Sequence, residues 1–332
     1  MKLKRTLAVY AGSIIALSLC AFASLAWGSK NINFSQVIKS LLDSNDMSFS
    51  ALVVRERLSR TVFSIIAGAS LGVSGALMQS ITRNPIADPG ILGVNTGASL
   101  FVVIGIAFFG IDTANQFIWF ALTGSALTAV FVYMIASAGN GGMTPIKLAL
   151  SGSAASAVLT SLVSVIMLPR SNAMDAFRFW QVGSVSGATW ESVLLILPFI
   201  AAGLAISMLS APALNALALG DEAATGLGVK VGITRLACAA AGVMLTGAIT
   251  AIAGPIGFIG LMVPHCIRLI IGSDYKSIIP LSALLGASLL VISDVIGRVI
   301  GSPGEIQVGV ITAFLGAPIL IIIARKAKVR SL

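Results

Sequence analysis

Long apolar runs separated by short polar segments dominate this chain. A helix needs about 20 apolar residues to cross a hydrocarbon core of about 30 Å, and ten runs of roughly this length occur, the eighth being short. They are Leu7–Trp27, Thr61–Ile81, Ile91–Phe109, Phe117–Ser137, Leu148–Leu168, Ser192–Ala211, Leu236–Ala253, Gly257–Ile271, Ile278–Gly297 and Ile306–Ala324. The pattern predicts an all-α polytopic membrane protein with one transmembrane domain over residues 1–332.

The composition supports this class. Hydrophobic residues make up 57% of the chain and charged residues 10%, whereas soluble domains carry about 25% charged residues. The net charge of +9 would suggest nucleic acid as the partner of a soluble protein. Here the basic residues mostly flank apolar runs, as topology determinants do, so we expect no nucleic-acid partner and expect the lipid bilayer as the surroundings.

The basic residues also predict the orientation, because Lys and Arg are enriched in short cytoplasmic loops. Ten crossings then place both termini inside, next to Lys2, Lys4 and Arg5 at one end and Lys328 and Arg330 at the other. The first apolar run could instead belong to a cleaved signal. It is longer than the roughly 7 to 15 residues of a signal core, so a retained helix is favoured.

Two segments rich in Gly and Pro interrupt the regular pattern. Residues 79–97 follow an inward crossing and residues 253–268 follow an outward crossing. Spans two to five and seven to ten could therefore form an inverted repeat, as in many transporters. Two kinked helices are the simpler alternative, and the residues alone leave both open.

A compact acidic island lies at one predicted membrane edge, where the orientation places it in the cytoplasm. Asp221 and Glu222 are adjacent carboxylates in a chain with few charges. Gly220 allows a turn before them. Carboxylates in the first turn of a helix are stabilising, so a helix is expected to begin here. Leu217 and Leu219 are predicted to offer an apolar face.

Four stretches of the chain carry a resemblance to a known family. They are Gly68–Gln79 continuing into Arg83–Val94, Ala218–Ala223 with Leu227–Val229, Gly257–His265 with Arg268, and Gly304–Pro318. Together and in this order, they resemble the permease subunits of bacterial ABC importers for iron-siderophore complexes, haem and cobalamin. The resemblance covers most of the chain.

This resemblance implies a ten-helix subunit of the bacterial cytoplasmic membrane that pairs with a second copy or a paralogue. A dimer of ABC ATPases would bind inside and a substrate-binding protein outside. Residues 213–233 resemble the coupling loop of the family, a pair of short helices that fits a cleft on the ATPase. The residues expected to contact the ATPase are Leu217, Leu219, Gly220, Asp221, Glu222 and Ala223. A local role for the two acids as helix-start residues stays open.

The resemblance also implies that outer arginines dock the binding protein. Arg57 and Arg60 precede the second span and Arg298 follows the ninth, and the planar guanidinium suits carboxylates of a partner. Alternatively, these side chains reach lipid headgroups or pair with Glu56 and Asp294. Because Asp294 lies four residues before Arg298, we expect an ion pair between these two.

A possible inner gate follows from the same resemblance. Thr144, Pro145 and Ile146 lie in the loop where the family narrows the pathway on the inside. The small residues Ser151 and Gly152 that follow permit close helix approach, which fits packing as well as gating.

Catalytic chemistry is not expected in this chain. There is no GxxxxGK[ST] phosphate loop, so ATP hydrolysis would belong to a partner chain. His265 is the sole histidine and is interpreted as packing at a helix end. Cys20, Cys238 and Cys266 lack metal-ligand spacing and are interpreted as buried thiols. No cofactor or metal is expected.

The sequence thus predicts an importer permease that translocates a ferric-siderophore complex, with haem or cobalamin as alternative cargo. An ion-coupled secondary transporter is the competing class, because an inverted repeat would also fit it. Against that class, the apolar spans lack several central acidic residues. Whether a dimer holds two identical copies or a paralogue stays open.

Overall fold

The computed structural model describes residues 2–43, 45–138 and 144–326. Every regular element in these ranges is a helix, which confirms the all-α class. The helices are α1 (Lys2–Ala26), α2 (Phe34–Leu42), α3 (Phe49–Ile81), α4 (Val94–Ile104), α5 (Ala114–Ser137), α6 (Pro145–Met167), α7 (Ser171–Val182), α8 (Trp190–Leu217), α9 (Asp221–Gly226), α10 (Val231–Ala253), α11 (Ile259–Ile271), α12 (Tyr275–Ile300) and α13 (Val308–Lys326). A 3₁₀ turn (Pro89–Leu92) precedes α4 and a π-helical turn (Gly105–Phe109) extends it.

Each of the ten predicted apolar runs overlaps one of these helices. Among the described residues, 7 helices are long and apolar enough to cross a membrane by length and composition, namely α1, α3, α5, α6, α8, α10 and α12. The other three, α4 with its π-helical turn, α11 and the apolar part of α13, are shorter. Ten crossings therefore stay a prediction.

Three helices, α2, α7 and α9, lie outside the predicted runs. α2 begins after Asn33, whose backbone N–H donates to Gln36 Oε1 at 3.3 Å, and it buries Val37 against α1 and α3. All three helices are short and partly polar. A search for runs of about 20 apolar residues cannot detect such helices.

α3 begins at Phe49, well before the predicted start of its span at Thr61. The Ser48 side chain caps this start by accepting from the Ala51 N–H at 3.3 Å. With 33 residues, α3 is about 50 Å long. It therefore exceeds a hydrocarbon core of about 30 Å, and its charged first turns can lie outside that core.

Direct backbone contact joins α3 to two neighbouring helices. A Cβ at Gly68 would collide with the backbone of Gly286 in α12, and a Cβ at Gly75 would collide with the backbone of Gly260 in α11. None of these four glycines has a positive φ, so glycine is needed here for its missing side chain and not for its backbone freedom. Small residues of this kind let membrane helices approach closely.

The contacts between helices are similar in the two halves of the chain, when α3 to α6 are matched with α10 to α13. α3 packs on α12 as α10 packs on α5, and α3 packs on α11 as α10 packs on α4. Likewise, α4 packs on α5 and α6 as α11 packs on α12 and α13. An irregular segment precedes both α4 and α11, as predicted. This pairing supports the predicted inverted repeat rather than two unrelated kinked helices.

Polar residues gather at two opposite ends of the bundle. The Asp221 end contains the last turns of α3 and α8 and the first turns of α10 and α12, and Tyr10 of α1 donates there to Ser277 O at 3.5 Å. The Arg60 end contains the start of α3 and the last turns of α1 and α12. Lys328 and Arg330, which supported the predicted orientation, lie outside the described residues.

Two of the three thiols and the histidine lie in environments other than those predicted. Cys238 is buried, but Cys20 and Cys266 are half-buried, because their helix faces are only partly covered by other helices. His265 lies in the middle of α11 instead of at a helix end. The prediction of three buried thiols is therefore wrong for two of them.

Gly75→Val is expected to destabilise the protein, since the new side chain would force α3 away from α11. Overpacking of this kind costs about 1–3 kcal/mol, and the thermal midpoint in detergent, measured by fluorescence-detected gel filtration, should fall. Gly12→Val is the matched control, because a Cβ at Gly12 meets nothing within 4 Å. Equal midpoints for the two variants would contradict the proposed contact.

Candidate functional site

The segment between α8 and α10 forms a turn followed by one short helix. Gly220 has a φ of 119°, which side chains disfavour, and α9 carries Asp221 and Glu222 in its first turn. The predicted turn and helix start are confirmed. The predicted pair of short helices is wrong, because α8 continues to Leu217 with Leu214 and Leu217 buried on one face.

The predicted ATPase-contacting residues differ in burial: one is buried, two are half-buried (Gly220 and Asp221) and three are exposed. Leu217 is 1% exposed and belongs to the core, so its predicted role in an outward apolar face is wrong. Leu219 is 70% exposed, and Glu222 and Ala223 are exposed beside it. Leu227, just after α9, adds a further exposed apolar side chain. These residues form a small apolar surface with one acidic group.

Asp221 accepts hydrogen bonds from two arginines through the same oxygen, Oδ1. Arg235 Nη2 donates to it at 3.0 Å from the second turn of α10. Arg83 Nη2 donates to it from the segment after α3 and also donates to Leu217 O at 3.1 Å. The first turn of α9 is therefore tied to α3, α8 and α10. Neither arginine was predicted for this site.

A second polar contact joins α8 to α12 at the same end. Asn215 Nδ2 donates to Asp274 Oδ1 at 2.7 Å, and Asn215 Oδ1 accepts from the Tyr275 N–H at 2.8 Å. Asp274 also caps α12 by accepting from the Lys276 N–H at 3.1 Å. The last turn of α8 is thus fixed to the first turn of α12.

The segment after α3 is held in an irregular conformation. Arg83 has a φ of 50°, a left-handed conformation that is uncommon for residues other than glycine. Asp88 caps the 3₁₀ turn by accepting from the Gly90 N–H at 2.9 Å, and burial raises the pKa of its carboxyl. Gln79 Nε2 donates to Gly260 O at 3.0 Å, which joins the end of α3 to α11.

A cluster of ion pairs occupies the Arg60 end. Asp294 is 2% exposed and binds Arg60 Nη2 at 2.7 Å and Arg298 Nε at 3.1 Å. Glu305 Oε2 accepts from Arg60 Nη1 at 2.8 Å and is 39% exposed. The predicted ion pair between Asp294 and Arg298 is confirmed, and the alternative pairing of Arg60 with Asp294 is confirmed as well.

Two of the predicted docking arginines bind the end of α1 instead of facing solvent. Arg57 donates to Leu25 O at 3.0 Å and to Lys30 O at 2.7 Å. Arg298 donates to Ser24 O at 3.1 Å. The last carbonyls of a helix lack intrahelical donors, and these buried guanidiniums satisfy some of those of α1. Their role in docking stays a prediction.

These arginines nevertheless line an open cavity of about 330 Å³ at the surface of the Arg60 end. Its polar lining consists mainly of Glu56, Arg57, Ser59, Arg60, Arg298 and Glu305. The guanidiniums are therefore within reach of a small acidic group that enters from outside. Exchange with Glu305, the most exposed acid of the ion-pair cluster, would free Arg60 for such a group.

The predicted gate residues form the start of α6. Thr144 Oγ1 accepts from the Lys147 N–H at 3.3 Å and so caps the helix. Pro145 is its first residue, a position that favours proline, and Ile146 is 69% exposed. This geometry explains the helix start, and the predicted gating role stays a prediction.

No cluster of metal ligands occurs in the part of the chain that the structure describes. Groups of 3 or more His, Cys, Asp or Glu side chains that could hold a metal ion are absent there. The polar chemistry of the two ends is that of ion pairs and helix caps. It is suited to binding partners and to joining helices.

Comparison with known proteins places this arrangement in a family. Residues 16–326 match the FecCD transport family. The chain is 41% identical over 316 residues to the ferric enterobactin transport system permease protein FepD of Escherichia coli, covering 95% of this chain and 94% of that protein. It is 41% identical over 318 residues to the Fe(3+)-citrate import system permease protein YfmD of Bacillus subtilis, with coverages of 95% and 94%.

A solved structure has the same fold. It is an inward-facing conformation of a metal-chelate type ABC transporter, which aligns with a TM-score of 0.84 at 26% identity. The alignment covers 97% of this chain and 99% of that chain. The helical arrangement described above is therefore that of an ABC transporter membrane domain.

Asp294→Ala is expected to be strongly destabilising, because it leaves the buried Arg298 guanidinium without its carboxylate. Breaking a buried ion pair in this way costs about 3–5 kcal/mol, which should lower the thermal midpoint in detergent. Asp175→Ala serves as the control, since Asp175 and its partner Arg178 are 75% and 68% exposed. Similar midpoints for both variants would rule out an energetic role for the buried cluster.

Proposed function

This chain belongs to the FecCD transport family, and we propose that it is the permease subunit of a bacterial ABC importer for a ferric-siderophore complex. The family match over residues 16–326 carries the proposal. Relatives named for ferric enterobactin and ferric citrate support an iron chelate as the cargo. Haem and cobalamin are the competing cargoes.

The partners follow from the importer class. A cytoplasmic dimer of ABC ATPases supplies the energy, and a second permease copy or a paralogue completes the membrane part. A substrate-binding protein delivers the cargo from outside the cytoplasmic membrane. The Asp221 end then faces the cytoplasm and the Arg60 end faces outward, as the basic residues predict.

The ATPase is proposed to bind the exposed surface around α9. Leu219 and Leu227 are large apolar side chains that are 70% and 65% exposed, and Glu222 supplies a charge between them along the chain. An apolar contact with a charged residue at its edge provides affinity together with orientation. Gly220 and Ala223 leave room for close approach of the partner.

The binding protein is proposed to dock at the cavity of the Arg60 end. An acidic side chain of the partner would take the place of Glu305 on Arg60, because Glu305 is the more exposed of the two acids that Arg60 binds. Arg57 and Arg298 line the same cavity. They contribute positive charge while remaining bound to the end of α1.

Uptake of a radiolabelled ferric siderophore into proteoliposomes tests the proposed function. The chain, reconstituted with its ATPase and its binding protein, is expected to carry the iron chelate only when ATP and the ATPase are present. Unlabelled ferric siderophore should compete, whereas haem and cobalamin should not. Iron uptake that persists without the ATPase, driven by an ion gradient, would instead establish a secondary transporter.

Arg60→Glu is expected to weaken binding of the substrate-binding protein, since it places a negative charge where the partner's acid would dock. Loss of a charge pair at an interface costs about 2–5 kcal/mol when the pair is buried, and surface plasmon resonance would measure the affinity. Lys276→Glu, at the opposite end, is the control for charge reversal. An unchanged affinity for Arg60→Glu would remove Arg60 from the docking surface.

A further inference from the structure

Asp221 is held from two sides by arginines of its own chain, whereas Glu222 next to it is exposed. We infer that Asp221 is a positioning residue that locks α9 onto the ends of α3 and α10, and that Glu222 is the acid that meets the ATPase. This inference rests on the proposed function, because it assigns separate roles within the proposed ATPase-binding surface. We call Arg83, Asp221 and Arg235 the arginine latch.

The hydrogen bonds of Asp221 argue against a direct role in binding the ATPase. Its Oδ1 already accepts from Arg83 and from Arg235, the latter at 3.0 Å. The Arg235 side chain is 6% exposed. If the Asp221 carboxylate moved away, this buried cation would have one charge partner fewer. Pairing of Asp221 with a basic residue of the ATPase would therefore compete with contacts inside the permease.

Glu222 is in the opposite situation. It is exposed on the first turn of α9, and successive helix residues point about 100° apart around the axis. The half-buried Asp221 therefore lies on the side of α9 that meets Arg83 and Arg235, whereas Glu222 points to solvent. The same helix presents Ala223 to solvent and buries Ala224, so its inner and outer faces are distinct.

Arg83 makes the latch more than a local helix cap. It directly follows the last turn of α3, and its guanidinium reaches both Asp221 of α9 and the Leu217 carbonyl that ends α8. Its backbone holds a left-handed conformation, with a φ of 50°, which side chains adopt only when surrounding contacts favour it. The contacts of Arg83 with α8 and α9 therefore hold its backbone in this uncommon conformation.

The latch connects the proposed ATPase surface to the helices that form the core. α9 is tied to α3 through Arg83 and to α10 through Arg235, and α8 is tied to α12 through Asn215. α3, α10 and α12 pack on one another or share a neighbour in the core. A displacement of α9 by the ATPase is therefore transmitted to these helices through polar contacts as well as through the chain.

The test separates ATPase binding from coupling in the complete transporter. Asp221→Asn removes the charge and keeps the shape, and Arg83→Asn removes the guanidinium while keeping a residue that tolerates positive φ. Both variants are expected to bind the ATPase normally but to carry about tenfold less iron per ATP hydrolysed. The double variant should lose no more than either single variant, since both act through one network.

Three further variants complete the comparison. Glu222→Lys is expected to lose ATPase binding in a pull-down from detergent, unlike the latch variants. Arg83→Lys, which keeps a cation at this position, should recover part of the iron carried per ATP. Lys276→Ala changes an exposed side chain at the same end that is not part of the latch, so it should behave like the unmodified protein.

The outcomes distinguish the latch from the proposed function. The latch would be overturned if Asp221→Asn weakened ATPase binding as strongly as Glu222→Lys does. It would also be overturned if the double variant lost iron transport per ATP by the product of the two single losses. Thermal melting of the permease alone, without ATPase, gives an independent measure. Non-additive melting shifts for Asp221→Asn and Arg83→Asn support the latch even if no iron is carried, whereas additive shifts contradict it.

Discussion

The direct backbone contact of α3 with α11 and α12 is the constraint on which the rest of the structure depends. Lipid tails are as apolar as the side chains that face them, so helix association in a bilayer relies on close packing. Gly68, Gly72 and Gly75 provide such packing along one side of α3, where any Cβ would collide with a neighbouring backbone. The middle of this long helix is therefore fixed, and its position determines where both polar ends lie.

The two ends use the same solution for charge. Charged groups are costly inside a membrane unless they are paired, and each end pairs one aspartate with two arginines. Asp294 binds Arg60 and Arg298, and Asp221 binds Arg83 and Arg235. In each case one arginine lies in or just beyond α3, so this helix joins the proposed docking cavity to the proposed ATPase surface.

The sequence predicted what depends on local pattern. Apolar runs located ten helices, and the spacing of four residues predicted the pair of Asp294 with Arg298. The sequence pattern did not predict the latch because Arg83 and Asp221 are 138 residues apart, and Arg83 entered the prediction only as part of a stretch that resembles the family. Leu217 and Leu219 were treated alike because their burial depends on where α8 ends. Packing between distant segments decides such features.

The two shared aspartates differ in exposure, and this difference suits the two ends to different tasks. Asp294 is 2% exposed, so its ion pairs are shielded from salt and solvent and join α3 to α12, while Arg298 also binds Ser24 O of α1. The Asp221 side chain is 44% exposed, and partly solvated ion pairs are weaker and more easily rearranged. This moderate strength suits the coupling role proposed for the latch, because a contact that passes on movement has to yield and re-form. At the Arg60 end the group proposed to exchange is Glu305, which is 39% exposed, while the buried Asp294 binds both Arg60 and Arg298.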